Sequence, residues 1–481
     1  MSALWTTAEM QSAMQAERIG ALPENVTGIS IDTRTLTRGE AYFAIKGDVH
    51  DGHDFVQAAL DKGASVAVIA KQYQSKFSDD ARLLVVDDVL DALIALGRAT
   101  RARFHGKVIA VTGSVGKTST KEALRSVLSA QGETHASVAS FNNHWGVPLT
   151  LARCPASAEF AVFEIGMNHP GEIEPLVKMV RPHIAIITTV EPVHLEFFSG
   201  IEAIADAKAE IFSGLESGGV AILNIDNPQF ARLKKSAEKI DARIVSFGAD
   251  AKADARLVDV ALHAQNSTVR ANILGEDIAY KIAVPGRHMA MNSLAVLAAA
   301  SLAGADLALS ALSLSQIKPA AGRGVREQLS VNGGFATLID ESYNANPASM
   351  AAALNVLGQA EIGARGRRIA VLGDMLELGP AGPQMHRGLA DAVAANKIDT
   401  VFCCGPLMRH LWEALPPAQK GGYAANSAEL ESDVITALGA GDAVMIKGSL
   451  GSRMKLIVSA LQKRFPANAE PDDVNVAGGA H

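Results

Sequence analysis

The chain has 481 residues, 48% of them hydrophobic and 20% charged, the balance of a globular protein of two to four domains. Its 44 basic residues are outweighed by 51 acidic ones, and a net charge of −7 excludes a bulk field for gathering nucleic acid or an anionic membrane. Three cysteines, Cys154, Cys403 and Cys404, exclude a disulfide framework, and neither a signal-peptide pattern nor a run of about 18 apolar residues is present, so a reducing cytoplasm is expected.

Along the chain, short β-branched runs alternate with helical stretches, which predicts α/β architecture with parallel sheets covered by helices. The turn holding His50, Asp51, His53 and Asp54 has the residue types of a metal site, but no cysteine or second ligand pair accompanies it, and zinc is set aside. A helix is predicted over 87–104, and a domain boundary follows near 105. Strands are predicted at Val108–Thr112, Ala161–Ile165 and Ile184–Thr188, and a helical stretch at 205–212. Alternation between 253 and 284 predicts a β-rich elaboration, and the Ala-rich region 294–314 predicts a helical segment. A second boundary falls near 322, followed by strands at Ile369–Leu372 and Val444–Ile446, and 466–481 read as a disordered tail. Three domains result: 1–105, 106–322 and 323–465.

The strongest local signal is the run from Val108 to Ser119, an apolar strand, a glycine loop and the start of a helix. Glycines let backbone N–H groups close on phosphates, the helix N-terminus adds its dipole, Lys117 reaches the terminal phosphates, and Thr118 is placed to bind Mg²⁺. The usual loop has glycine five residues before Gly116, where this chain has Val111, so this is a shortened variant. Glu164 ends the next predicted strand, where parallel sheets face their ligand crevice, so its carboxylate reads equally as a metal ligand or a solvated acid. Lys208 alone reads as a surface lysine, and His183 and His194 read as hydrogen-bonding histidines.

Further stretches join these in a fixed order: Phe141-Asn142-Asn143-His144-Trp145-Gly146-Val147-Pro148, Glu164-Ile165-Gly166, His194-Leu195-Glu196, Lys208, Gly286-Arg287-His288 with Asn292, and Gly322-Arg323. In that order the chain resembles the Mur ligases of bacterial peptidoglycan synthesis, over about residues 28 to 455. Within the family it looks most like the branch that adds D-alanyl-D-alanine. That likeness is carried by Asp340-Glu341-Ser342-Tyr343-Asn344-Ala345-Asn346-Pro347, by Gly373-Asp374-Met375-Leu376-Glu377-Leu378-Gly379, and by Asp32-Thr33-Arg34 with Gly47 and Asp51-Gly52-His53-Asp54-Phe55.

The resemblance implies a monomeric ATP-dependent ligase that joins D-alanyl-D-alanine to UDP-N-acetylmuramoyl-tripeptide through an acyl phosphate. It implies a small N-terminal α/β domain for the UDP end, a central phosphate-loop ATPase-like parallel sheet, and a C-terminal Rossmann-like domain for nucleotide and amino substrate. Thr112, Gly113, Ser114, Val115, Gly116, Lys117, Thr118, Asn292, Arg323 and Asp340 would bind ATP. Thr33, Arg34, Gly47, Asp51, Gly52, His53, Asn142 and Asn143 would bind the UDP substrate, and Tyr343, Asn344 and Asn346 the amino substrate. Lys117, Glu164, His194 and Lys208 would be catalytic, with two Mg²⁺ held by Thr118, Glu164, His194 and a carbamate on Lys208. Carbamate formation needs the neutral amine, which an unperturbed lysine supplies in only about one molecule in 2500 at pH 7, so a special environment is required. The chain departs mildly from the family pattern: Ser114 replaces a frequent Thr, Met167 fills a usually small position, and Glu341 replaces a frequent Asp.

Overall fold

The computed structural model describes residues 3–47, 49–137, 140–193 and 195–467, and it contains successive sheets of five, nine and six strands beside a small two-stranded ribbon. The α/β architecture expected from the alternating runs is present. In the first sheet, Ile29–Ser30, Ala41–Phe43, Val66–Ala70 and Leu83–Val86 pair in parallel, with Glu17–Ile19 antiparallel at the edge. Val66–Ala70 and Leu83–Val86 are buried at every position, which is why they read as continuous apolar runs. The helix predicted over 87–104 is Val89–Arg103, and Asp88 caps it by accepting from the Leu90 and Asp91 N–H groups. Trp5 on the ribbon donates from Nε1 to the Ala152 carbonyl at 2.9 Å, fastening the N-terminal segment to the central sheet's helical layer.

The phosphate-loop strand Lys107–Thr112 lies in the nine-stranded sheet between Phe160–Glu164 and Ile184–Ile187, parallel to both. After Lys107–Thr112 the chain crosses to Thr134–Ala136 at one edge, and after Phe160–Glu164 it passes to the opposite side. Connections therefore diverge at the carboxyl end of the central strand, the position where open α/β sheets form their crevice. Alternate residues of that strand serve two cores: Ile109 and Val111 pack in one with helices Lys117–Ser129 and Arg287–Leu302, Val108 and Ala110 in the other. The elaboration expected between 253 and 284 is an antiparallel meander, Ala255–Leu262, Ser267–Ile273 and Glu276–Ile282, that widens the same sheet.

The Ala-rich region departs from expectation, being two helices, Arg287–Leu302 and Leu307–Leu314, where one segment was expected. Gly304 turns the chain at φ +96°, and Asp306 caps the second helix by accepting from Leu309 N–H.

In the last sheet, Val325–Val331 and Gly334–Glu341 form an antiparallel hairpin, followed in space by parallel strands Ala443–Lys447, Arg368–Gly373, Thr400–Cys404 and Lys420–Ala424. The chain enters this sheet through Gly322 at φ +71° and Gly324 at φ +93°, and a Cβ on Gly322 would lie 3.0 Å from that of Tyr343. Glycine is needed there for both conformation and space. Among the described residues no helix is long and apolar enough to cross a membrane. The expected tail, 466–481, lies outside the described residues from 468 onward.

Candidate active site

The loop after Lys107–Thr112 is held open by a second loop that follows Ile184–Ile187. Ser114 N–H donates to the Thr189 carbonyl at 2.9 Å, Ser114 Oγ to the Glu191 carbonyl at 3.1 Å, and Thr188 Oγ1 to the Val115 carbonyl at 2.5 Å. Gly113 sits at φ +146°, and a Cβ there would lie 2.0 Å from Thr188 Oγ1, so the loop tolerates only glycine at this point. Gly116, at φ +88°, lies under the Asn292 amide, whose Nδ2 is 2.5 Å from the place a Cβ would occupy. Asn292 is thus brought to the phosphate loop itself. Lys117 Nζ reaches back across the loop to the Gly113 carbonyl at 2.7 Å. Burial lowers the Lys117 pKa, and the Arg323 charge adds to that effect while Glu164 opposes it.

Thr118 and Glu164 meet at the floor of the crevice, with Thr118 Oγ1 donating to Glu164 Oε2 at 2.9 Å. Glu164 is 1% exposed, and its other oxygen accepts from Asn142 Nδ2 at 2.8 Å. A hydroxyl and a buried carboxylate side by side, at the mouth of a phosphate loop, are the hard oxygen donors that suit Mg²⁺. Asn142 therefore does not join the residues of the N-terminal sheet with which the sequence grouped it, because its amide is used to orient the carboxylate. Asn143 is exposed, and its Oδ1 accepts from Gly146 N–H at 2.9 Å at the start of helix Gly146–Ala152.

Lys208, on helix Ile201–Ala209, is 2% exposed and has no hydrogen-bond or ion-pair partner among the described residues. Burial, helped by the nearby Lys117 charge, puts its pKa well below the usual lysine range, so the neutral amine is more accessible here than on a solvated lysine. The sequence in isolation made this a surface lysine, which the fold corrects. His194 lies outside the described residues. His183 lies within them, its Nδ1 accepting from Val108 N–H at 3.0 Å.

A cavity of about 360 Å³ joins the phosphate loop to the C-terminal sheet. Its walls bring Ser114 to Thr118, Asn142 and Glu164 together with Arg323, Tyr343, Asn344 and Asn346. The Arg323 guanidinium stacks 4.2 Å from the Tyr343 ring centroid, which fixes its direction at the junction of the two sheets. On the far side of Arg323 a second cavity, about 240 Å³, runs beside helix Lys117–Ser129 and is lined by Met289, Ile317 and Pro319 among others. Asp340 is buried outside both cavities, accepting from Ser342 N–H and Oγ and from Lys455 Nζ at 2.9 Å. Its neighbour Glu341 faces the first cavity and pairs with Lys447 at 3.3 Å.

The sequence missed several wall residues, including Glu341, Leu376, Ser449 and Leu450. A signal existed for the last two: an apolar strand ending in Lys447-Gly448-Ser449-Leu450-Gly451 repeats the strand-then-glycine pattern of a ligand loop.

The remaining predicted residues gather elsewhere, near the carboxyl ends of the N-terminal strands, and do not line this cavity. Arg34 is exposed and pairs with Asp32 at 2.7 Å, and the Thr33 carbonyl accepts from Lys62 Nζ at 2.7 Å. Gly47 N–H donates to the His50 carbonyl, and the Gly52 carbonyl accepts from Tyr42 OH. Asp51 accepts from His53 Nδ1 at 2.6 Å and from Tyr73 OH at 2.6 Å, while His53 Nε2 accepts from Ala70 N–H. Burial opposes its ionisation, but the hydrogen bonds from Tyr73 and His53 prevail and hold the Asp51 pKa at about 2. Asp51 and His53 thus brace the turn between them.

Comparison with known proteins gives three matching family models: the Mur ligase family, catalytic domain over 25–106, the Mur ligase middle domain over 111–300, and the Mur ligase, glutamate ligase domain over 326–450. The UDP-N-acetylmuramoyl-tripeptide–D-alanyl-D-alanine ligase of Rickettsia prowazekii is 32% identical, over 95% of this chain and 100% of the relative. The Escherichia coli protein of the same name is 33% identical, over 95% and 98%. Among solved structures, MurF from Acinetobacter baumannii superposes with a TM-score of 0.82 at 30% identity, covering 95% of this chain and 99% of that one. MurF from Thermotoga maritima, solved in complex with ADP, has a TM-score of 0.73 at 25% identity, with 91% and 98% covered.

Proposed function

The chain belongs to the Mur ligase family, and on that premise we propose that it joins D-alanyl-D-alanine to UDP-N-acetylmuramoyl-tripeptide at the expense of ATP. The supporting observation is a single cavity in which the phosphate loop, the Thr118–Glu164 couple and the loop holding Asn344 and Asn346 face one another. Residues 1–105 would hold the UDP end, 106–322 the ATP phosphates, and 323–465 the amino substrate. ATP and a UDP-linked substrate fit a reaction in the cytoplasm.

The reaction begins when a carboxylate oxygen of the tripeptide attacks the γ-phosphorus of ATP and ADP leaves, giving an acyl phosphate. Lys117 and Arg323 follow the charge that develops on the transferring oxygens. Thr118 and Glu164 would hold Mg²⁺, which when bound neutralises charge on the phosphates. The free amine of D-alanyl-D-alanine then attacks the activated carbonyl carbon. Phosphate departs, the nitrogen gives up a proton, and the amide remains. Water must be kept from the acyl phosphate, and Gly322 to Gly324 provide the hinge on which the C-terminal sheet would close.

Lys208 is the proposed site of a carbamate: its neutral nitrogen attacks CO₂, an N–C bond forms, and a proton is released, leaving an anion near the phosphate loop for a second Mg²⁺. Burial with a lowered pKa supports this. A carbamate carbon resonance after exchange with ¹³CO₂, lost in Lys208→Met, is the expected result, and its absence from the wild type overturns the assignment. The ligase reaction is tested by phosphate release with UDP-muramoyl-tripeptide, ATP, Mg²⁺ and D-alanyl-D-alanine, with product mass as readout. Release with free L-lysine or diaminopimelate in place of the dipeptide overturns the choice of acceptor.

A further inference from the structure

Helix Lys117–Ser129, which starts at the phosphate loop, carries a lysine that the reaction scheme above does not use. Lys121 is 0% exposed, among the largest side chains that the fold buries completely. Its Nζ donates to the Ser137 carbonyl at 2.7 Å and pairs with Glu122 Oε1 at 2.5 Å, and Glu122 pairs in turn with Arg125 at 2.8 Å. Burial opposes ionisation of Glu122, but the hydrogen bonds and charges of Lys121 and Arg125 prevail and hold its pKa below the usual carboxylate value. A buried ammonium gives up hydration that an apolar side chain of similar length never had, so packing alone does not account for Lys121. Its partner Ser137 stands where a strand ends. Thr134–Ala136 pairs with Phe160–Glu164 only as far as Ala136 opposite Val162, while Phe160–Glu164 runs on to the carboxylate of the crevice. Ser137 is the first residue past that ladder. Three and five residues later the same segment reaches the site: Ser140 Oγ and Thr118 Oγ1 lie 3.3 Å apart, and Asn142 Nδ2 donates to Glu164 Oε1 at 2.8 Å.

We propose that Lys121 is a positioning residue for the Mg²⁺ site. By holding the Ser137 carbonyl against helix Lys117–Ser129, it fixes where the segment leaves the sheet, and so where Ser140 and Asn142 meet Thr118 and Glu164. The proposal rests on the ligase reading above and deepens its account of the metal site. Thr118 and Lys121 are three residues apart and therefore share one face of the helix. That face holds the segment at two points, and Gly166 N–H, donating to the Asn142 carbonyl at 2.8 Å, holds it at a third beyond the end of strand Phe160–Glu164. The three holds differ in kind. Thr118 is a metal donor whose hydroxyl is used by the site itself, whereas an ammonium has donors only and cannot bind a cation, so the Lys121 contact does not compete with Mg²⁺. A charged donor on a buried carbonyl also makes a stronger hydrogen bond than a neutral one.

The test uses the full chain and ADP, with binding measured by calorimetry once with Mg²⁺ and once with EDTA. Mg²⁺ is expected to tighten ADP binding to the wild type. Lys121→Met is expected to lower that gain about tenfold and to leave the affinity in EDTA little changed. Lys121→Gln keeps N–H donors without the charge and is expected to lose less. In a double variant with Asn142→Ala the losses should fall short of additive, because both residues act on one segment. Hydrogen exchange of the metal-free protein gives a second readout: the Asn142 and Gly166 N–H groups should exchange several-fold faster in Lys121→Met, and the Val162 N–H at the wild-type rate. A merely structural lysine would weaken ADP binding equally with and without Mg²⁺, or give additive losses, or leave exchange at Asn142 and Gly166 unmoved. Each of these overturns the proposal, as does failure of both Lys121 variants to fold. A wild type whose ADP affinity ignores Mg²⁺ overturns instead the assignment of Thr118 and Glu164 as metal donors.

Discussion

Replacing Asn142 with alanine removes one donor from a carboxylate that is 1% exposed, while the Asn142 carbonyl keeps its 2.8 Å bond from Gly166 N–H and the loop backbone stays in place. The lost bond, Nδ2 to Glu164 Oε1 at 2.8 Å, has a charged acceptor, a class that contributes roughly 1.5–3 kcal/mol. With about 1.4 kcal/mol for each factor of ten, the upper limit of the effect is about 10- to 150-fold. Glu164 retains Thr118 on its other oxygen, so the carboxylate is loosened without being lost. The loss is expected in the Mg²⁺ dependence of phosphate release, as a higher metal concentration for half-maximal rate, with KM for the UDP substrate little changed. Steady-state phosphate release with Mg²⁺ titrated at saturating substrates measures it. An unchanged Mg²⁺ midpoint with KM raised for the UDP substrate alone would return Asn142 to the substrate-binding role its sequence motif implies and refute the positioning argument.

Other outcomes follow from the same geometry. Gly113→Ala places a methyl 2.0 Å from Thr188 Oγ1, so the loop must shift and ATP binding measured by calorimetry should fall at least about tenfold while the melting temperature moves little. Arg323→Lys keeps the charge but loses the planar stack on Tyr343, and KM for ATP should rise several-fold; an unchanged value would mean that the stack does not direct the guanidinium. His386 is fully buried, accepts from Met375 N–H and engages the Gly382 carbonyl, and burial holds its pKa below the usual value despite the favourable carbonyl and Asp374. The folded imidazole takes up its proton at lower pH than the unfolded chain, which does so below about pH 6.5, so stability should fall on acidification through the interval between the two, by at most about 1.4 kcal/mol per pH unit. His386→Gln removes that slope; thermal midpoints of variant and wild type running parallel from about pH 8 to about pH 5 would contradict the assignment.

Local patterns and environments differ in how far a sequence reveals them. The run from Val108 to Thr118 was legible because strand, glycine turn and helix start are each set within a few residues, and Thr188 then closes on Gly113 without altering that pattern. The Ala-rich region was harder: a helix apolar on all sides carries no periodic signal, and only Gly304 and Asp306 marked the break. Lys208 could not be judged from its neighbours, since what lowers its pKa is burial by the fold and the charge of Lys117, which lies far back in the chain. Asn142 shows a different limit, because a motif places a residue in a loop without saying which atom its amide will face.

Leu376 and Leu450 carry that point furthest. In the sequence they look like any core leucine, yet neither is covered in the fold, and only the two loops, docked through Leu376 N–H and Ser449 Oγ, turn them toward the cavity.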